Sequence, residues 1–410
     1  MDPAGQNPNT RKNYGCPACL SPRMQEFLTI EAVPVHCNLR WETQEEALNA
    51  PVADLRLGFC RTCGMIYNLA NDPALLEYAG SYENSLHFSP SFQAYARDLA
   101  ERLTERYELR GKDIVEIGSG DGRFLALLCR MGGNRGVGFE PSHRPDDPEN
   151  VDVRIVRDFY SEAYSDRKVD LLCCRHVLEH LHRPNEFMTT VHRSLHRAPH
   201  SVVFFEVPNA LTTFRNAGVW DLIYEHCSYF TTGSLAHLFQ ATGFGVLDLY
   251  TAYRDQFLCI EASPAGPGPS LRKEDSTFDV LPSVVAGFAE IYRRTLAAWS
   301  ERLIGSIEQG RQVVVWGAGS KGVMFLNSVE AGHQISHVVD INPRKQGCYI
   351  PRTGQPIVGP EELRRVRPDT VVVMNPIYEN EIRAMLGEIG TEAEVEVVKG
   401  PSVAGARSDR

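Results

Sequence analysis

From Asp113 to Gly122 the chain reads Asp-Ile-Val-Glu-Ile-Gly-Ser-Gly-Asp-Gly, and RFLALLCRMG follows directly. A short apolar strand runs into three glycines and leaves as a helix. Glycine lets a backbone turn sharply and approach a ligand with no Cβ in the way. A helix N-terminus beside such a loop adds unpaired N–H groups. The unit predicts an α/β sheet with a ligand at its strand ends. Glu116 in the strand and Asp121 in the loop suit a cationic ligand better than a phosphate.

The next stretches keep the alternation. NRGVGFE ends in Glu140, 18 residues after Gly122, where an acid can accept hydrogen bonds from two ribose hydroxyls. VDVRIV leads to Asp158-Phe159, an acid for an adenine amino group and a ring for stacking. VDLLCCR leads to His176-Val-Leu-Glu-His180, SVVFFEVPN follows, and FGVLDLYTA and QFLCIEASP read as a closing hairpin. In this order the pieces resemble class I S-adenosylmethionine (SAM) methyltransferases. The resemblance implies a Rossmann-like core that holds SAM through Glu116, Gly118, Gly120, Gly122, Glu140, Asp158, Phe159 and His176.

Upstream lie two Cys-x-x-Cys pairs, Cys16/Cys19 and Cys60/Cys63, with Gly64 after the second. Two residues between thiolates let one turn offer both sulfurs to one tetrahedral ion. The four are expected to bind structural zinc, because four thiolates close its coordination sphere. His36 and Cys37 read as ordinary loop residues. The chain carries 11 cysteines and shows no apolar leader, so a disulfide framework is not expected.

At 410 residues the chain is too long for one ordinary domain. The expected division is a zinc-binding module over 14–70, a methyltransferase core over 71–265, a helical linker over 266–309 and a second Rossmann-like domain over 310–400. Residues 1–13 and the tail GARSDR read as disordered, and Ser263–Pro269 as a linker. Residues 278–308 show helical spacing, with one long helix expected after Pro282. A net charge of -10 disfavours nucleic acid as a partner. No apolar run reaches the ~18 residues that span a bilayer, so a cytoplasmic protein with a small-molecule substrate is expected. Sequence does not set the oligomeric state.

The whole arrangement, from about residue 14 to 400, resembles the nucleotide-sugar C-methyltransferases. It includes Glu206-Val-Pro208 and Tyr224-Glu225-His226-Cys-Ser-Tyr229-Phe230. The resemblance implies a dTDP-linked keto-sugar acceptor, a base that removes a proton next to the ketone, and attack of the enolate carbon on the SAM methyl. Aligned from the right, Glu225, His226, Tyr229 and Phe230 match the family segment, and Tyr224 stands one position closer to the glutamate than the family tyrosine. His226 falls on the base, with Glu225 and Tyr224 beside it in the catalytic group. Histidine suits proton removal near neutral pH, and a neighbouring tyrosine hydroxyl suits an enolate oxygen. Tyr82-Glu-Asn-Ser85 resembles the lid over SAM. Tyr229, Asn209, Lys321 and Lys345 are expected at the acceptor. Where the family carries His-Gly-Gly-Ser, this chain has Tyr253-Arg254-Asp255-Gln256.

A second strand–glycine–helix pattern begins at Gln312, with Gly317-Ala-Gly319-Ser-Lys-Gly322 and an acid at Asp340. Alone it fits a dinucleotide fingerprint. The resemblance implies instead a domain that packs over the active site and helps hold the nucleotide-sugar. Asn375-Pro376-Ile377-Tyr378 resembles a motif of amino-methylating DNA enzymes, a reading that the net charge opposes. O- or N-methylation of another small molecule, and a SAM-fold protein without turnover, stand as alternatives.

Overall fold

Three sheets succeed one another in the computed structural model, which describes residues 15–76, 82–143, 153–266 and 281–398. The expectations for residues 1–13, for the tail and for the part of the linker beyond Gly266 fall outside these. No described helix is long and apolar enough to cross a membrane.

The first sheet is antiparallel and combines β1 (Met24–Pro34), β2 (Val52–Cys60), β3 (Ile66–Asn68) and β9 (Ser228–Tyr229), in the order β1-β2-β3-β9. Its fourth strand comes from far along the chain, with Ile66 opposite Tyr229 and Tyr67 opposite Ser228. The cysteine module is thus not free-standing. It is sewn to the segment that carries His226.

The second sheet has seven strands in the order β10-β11-β8-β7-β4-β5-β6. They are β4 (Asp113–Ile117), β5 (Arg135–Phe139), β6 (Val153–Val156), β7 (Leu171–Arg175), β8 (Val202–Pro208), β10 (Gly245–Ala252) and β11 (Phe257–Ser263). Strands β4 to β8 run parallel, and the β10–β11 hairpin closes the edge antiparallel. Central β7, Leu-Leu-Cys-Cys-Arg, is buried at every position, as a parallel strand covered on both faces must be. Strand order reverses at β4, between β7 and β5, and such a switch point opens a crevice at the strand ends. Helices α2 (Pro90–Arg106) and α3 (Arg123–Gly132) pack together over one face. Helices α4 (Pro184–Ser194) and α6 (Thr232–Ala241) pack over the other core.

The third sheet is parallel throughout, in the order β14-β13-β12-β15-β16, with strands β12 (Val313–Trp316), β13 (Val338–Val339), β14 (Ile357–Val358), β15 (Thr370–Val373) and β16 (Glu394–Val397). It carries α8 (Ser320–Ser328) and α10 (Glu379–Ile389).

The stretch expected as a helical linker is not a spacer. Helix α7 (Leu281–Glu308) admits Pro282 in its first turn, where the missing N–H costs no helical bond. It buries Leu281, Val285, Phe288, Tyr292, Thr295, Trp299 and Leu303 along one stripe. That stripe joins β1, helix α5 (Ala210–Arg215) and α8 in one continuous core. Phe288 meets Phe214 edge-on at 4.6 Å, and Trp299 meets Phe325 at 5.4 Å. One core therefore joins the first and third sheets to α5, the helix that follows β8 of the second.

Candidate active site and cysteine cluster

At the end of β4 the backbone is left-handed at Gly118, Gly120 and Gly122, with φ of +69°, +54° and +76°. A Cβ on Gly118 would stand 2.2 Å from Val177 Cγ2, so a side chain there is excluded twice over. Glu140, at the end of β5, holds the loop. Its Oε2 accepts from Gly120 N at 3.1 Å, and its Oε1 accepts from Ser142 N at 3.0 Å and Ser142 Oγ at 2.6 Å. A carboxylate offers about four acceptor positions, so room remains for a ligand. Asp158 accepts from Phe159 N at 2.8 Å and from Tyr164 Oη at 2.6 Å. The Phe159 ring is 71% exposed and uncovered, an open face for stacking.

Glu116 is buried, and its Oε2 has no hydrogen-bond partner. Burial pushes its pKa up to about 8, against the opposing pull of Arg175. An orphaned acid beside a glycine loop fits the amino or sulfonium charge of SAM.

Glu116, Gly118, Gly120, Glu140, Asp158 and Phe159 line one cavity of ≈ 1240 Å³, which extends from the β4 crevice to the α8 loop of the third sheet. A single small ligand fills less than that. Tyr82 also lies in its wall.

His176 follows β7 with a left-handed backbone, φ +54°. Its Nε2 lies 2.9 Å from Glu206 and its Nδ1 3.5 Å from Glu179. Burial acts to lower its pKa, but the two carboxylates outweigh burial and hold it at about 9. Glu206 shows the reverse. Burial would raise it, yet Arg175, His176 and Tyr95 bring it down to about 2. Arg175 donates to Glu206 Oε1 from Nε at 3.1 Å and Nη2 at 2.9 Å, and lies over the Phe124 ring at 4.1 Å. His176 was expected as a plain cofactor contact. The structure makes it a fixed cation in the wall, with both nitrogens facing carboxylates. Sequence reasoning missed Arg175 and Tyr95, and the only hint was Arg175 as a charge closing an apolar strand.

His226 is the reactive-looking group of its segment. Burial lowers its pKa well below the usual value, and His180, His176 and Lys321 add to the effect, so the imidazole is neutral at pH 7. Its ring meets His180 edge-on at 4.8 Å. Glu179, His180 and His226 bring one donor atom each within 4.8 Å of one another.

Its neighbours face elsewhere, contrary to expectation. Tyr224 Oη donates to Ala70 O at 3.1 Å and accepts from Asp72 N at 2.9 Å. Glu225 Oε2 accepts from Cys37 N at 2.8 Å. Neither residue lines the cavity. Tyr229 does, but its hydroxyl donates to Ile223 O at 2.9 Å and accepts from Ile223 N at 3.0 Å. All three anchor the segment, Tyr224 and Glu225 onto the cysteine module. Asn209 is likewise engaged. It caps α5 through Leu211 N at 3.1 Å and donates to Thr212 Oγ1 and Asp255 O.

In the third sheet Asp340 repeats the role of Glu140, accepting from Ala318 N at 2.8 Å. Lys321 faces the cavity in an ion pair with Asp221. Lys345 is nearly buried and donates to Ala318 O at 3.2 Å and Asn38 Oδ1 at 3.3 Å, so it ties two modules together. It also lines the cavity.

The cysteine pairs meet. Cys16 and Cys63 sulfurs are 3.5 Å apart, Cys19 and Cys60 3.6 Å, and all four lie within 4.8 Å of one another. Zn–S bonds of about 2.3 Å place tetrahedral sulfurs about 3.8 Å apart, so this donor set fits the ion. Gly64 turns the second pair with φ +75°.

Residues 91–249 match a methyltransferase domain family, and residues 271–398 match the C-methyltransferase C-terminal domain. The C-methyltransferase NovU of Streptomyces niveus is 27% identical over 386 residues, covering 90% of each chain. Among solved structures, 1,6-didemethyltoxoflavin-N1-methyltransferase of Burkholderia thailandensis is 19% identical, with a TM-score of 0.32 over 41% of this chain and 77% of that one. A SAM-dependent methyltransferase of Aquifex aeolicus is 11% identical, with a TM-score of 0.31 over 40% and 88%. Two consecutive domain matches, a methyltransferase domain followed by a C-methyltransferase C-terminal domain, and a relative spanning nearly the whole length make this chain a SAM-dependent methyltransferase.

Proposed function

We propose that this protein methylates a carbon of a nucleotide-linked keto-deoxysugar, with His226 as the base. One observation carries the reading: in its anchored segment His226 presents a neutral imidazole to the cavity that also holds the glycine loop. SAM supplies the methyl group. The chain's residues handle the proton and the charge. His226 takes the proton from the carbon next to the ketone, and Glu179, within 4.8 Å, favours the imidazolium that forms. The positive field of His176 and Lys321 around His226 favours the enolate oxygen. This replaces the tyrosine hydroxyl expected from sequence, since Tyr224 and Tyr229 are engaged elsewhere.

Phe159 and Glu140 suit the adenosine of the donor. The N-terminus of α8, which has no side-chain cap, and Lys321 beside it suit the diphosphate of the acceptor. Cys16, Cys19, Cys60 and Cys63 hold a structural zinc, whose part is to keep the module that anchors Tyr224 and Glu225.

The test is product analysis by NMR after incubation with methyl-labelled SAM and a panel of nucleotide-linked keto-sugars. A new methyl on carbon is expected. A methyl on oxygen or nitrogen would overturn the enolate chemistry and leave only the SAM core.

A further inference from the structure

Two stretches that the sequence singled out, and that the mechanism leaves unused, meet in space. One is the turn Tyr253–Gln256 between β10 and β11. The other is Asn375–Tyr378, after β15. Gln256 Nε2 donates to Asn375 Oδ1 at 2.9 Å, and Asn375 Nδ2 donates back to Gln256 Oε1 at 3.1 Å. This reciprocal amide pair joins the two nucleotide-fold domains directly. Asn375 Oδ1 also accepts from Ile377 N at 3.1 Å, which fixes its side chain.

The facing turn has an uncommon backbone. Tyr253, Arg254 and Asp255 have φ of +50°, +53° and +63°, and none is glycine. Residues with a Cβ enter this region rarely, and such conformations persist only where the surroundings over-determine them. Here they do. Asn209 N donates to Gln256 O at 2.8 Å, Asn209 Nδ2 donates to Asp255 O at 3.0 Å, and Thr251 Oγ1 donates to Asp255 Oδ1. The Tyr253 ring stacks on Phe257 with centroids 5.2 Å apart and planes 13° apart. A second tie runs alongside: Glu381 on α10 accepts from Ser89 Oγ and Ser91 Oγ, each at 2.9 Å. Tyr253, Gln256, Asn375 and Tyr378 all line the cavity.

We propose that these two turns form an acceptor-selecting clamp, which holds the C-terminal domain closed over the cavity and presents amides and aromatic rings to the sugar ring. After pairing, each amide keeps one N–H, and Gln256 keeps one lone pair. Uncharged donors beside stacked aromatic rings suit the hydroxyls and C–H faces of a sugar, not its phosphates. The sugar part of this inference rests on the proposed function; the clamp itself does not.

The test uses the full chain with Gln256→Leu, Asn375→Leu, their double variant, and the swapped pair Gln256→Asn with Asn375→Gln. Hydrogen exchange at residues 253–258 and 375–386 should quicken about 10-fold in both turns for either single variant. The double variant should add little, as coupled partners do, and the swap should restore protection. S-adenosylhomocysteine affinity by calorimetry should stay within about 2-fold, while the Michaelis constant for a keto-sugar that the protein methylates rises at least about 10-fold and the turnover number holds. Exchange changes confined to the mutated turn, additive effects, or S-adenosylhomocysteine affinity falling in step would each overturn the clamp. If the intact protein methylates no sugar in the panel, the functional reading fails with the selection role, while exchange still decides the clamp.

Discussion

Glu116 lies in the cavity wall beside the glycine loop with a buried carboxyl, an unpartnered oxygen and a pKa of about 8. At pH 7 roughly nine in ten free molecules hold it protonated, and ionising it there costs about 1.4 kcal/mol. A ligand ammonium set against it favours the charged form, so binding should release a proton. The sign follows from linkage: the free protein holds a proton that the complex does not, so acid favours the free form. Affinity for S-adenosylhomocysteine, whose amino group carries the charge, should rise about 50-fold from pH 6 to pH 8 and then flatten. The same shift makes Glu116 a destabilising element as pH rises. The folded state keeps a proton that the unfolded chain loses above pH 4.5, and stability from this group declines up to about pH 8. Calorimetry in buffers of different ionisation enthalpy reads the proton directly, and close to one should leave at pH 7. Glu116→Gln should abolish both the release and the pH slope. A flat wild-type profile, or an unchanged slope in the variant, would refute the placement of Glu116 against the ligand's charge.

Further outcomes follow from the same geometry. His226→Ala should lower the turnover number by at least about 100-fold with little change in the Michaelis constants; in heavy water the intact protein should exchange the acceptor C–H and the variant should not. Tyr224→Phe and Tyr229→Phe should each cost about 1 kcal/mol of stability by denaturant unfolding and leave the turnover number within about 3-fold, because both hydroxyls bond backbone. Metal analysis of protein purified under reducing conditions should find one zinc per chain. Cys60→Ser should abolish it and lower the melting temperature by roughly 4–8 °C, about 2 kcal/mol at the usual conversion. Glu206→Gln should cost about 3–5 kcal/mol, since it leaves the buried Arg175 and His176 charges uncompensated.

What the sequence revealed and what it hid divide by distance along the chain. The glycine loop, the acids at Glu140 and Asp158 and the cysteine pairs are local patterns, and the structure gathers the first three at one crevice and the cysteines in one cluster. The stripe of α7 was legible as a helix, but not as part of the core, because its partners are β1, α5 and α8. The misplaced residues fail for one physical reason. Tyr224 reaches back to Ala70, and Glu225 reaches 188 positions back to Cys37. A side chain's chemistry is written in its own letter, whereas its direction is set by partners that only the fold brings near. Glu225 reads as a catalytic acid until the Cys37 amide is seen to occupy it.

Two histidines at one cavity are driven in opposite directions, and this asymmetry gives the cysteine module a functional meaning. His176 lies between Glu206 and Glu179 and is held as a cation; His226 lies half-buried in the cavity wall beside His180 and is held neutral. Environments that push such pairs apart assign the acid and base roles. The difference depends on burial, and the burial of His226 depends on the segment that carries it. That segment has β9 paired with β3, Tyr224 bonded to the backbone at Ala70 and Asp72, and Glu225 bonded to Cys37. Each of these anchors belongs to the module or its immediate continuation, and the module is closed by the four sulfurs. Loosening it would expose more of the imidazole to water and weaken the largest cause of its low pKa before any residue in the cavity changed. The cysteine cluster, which lies outside the cavity wall, would thereby act on the pKa of the base we propose.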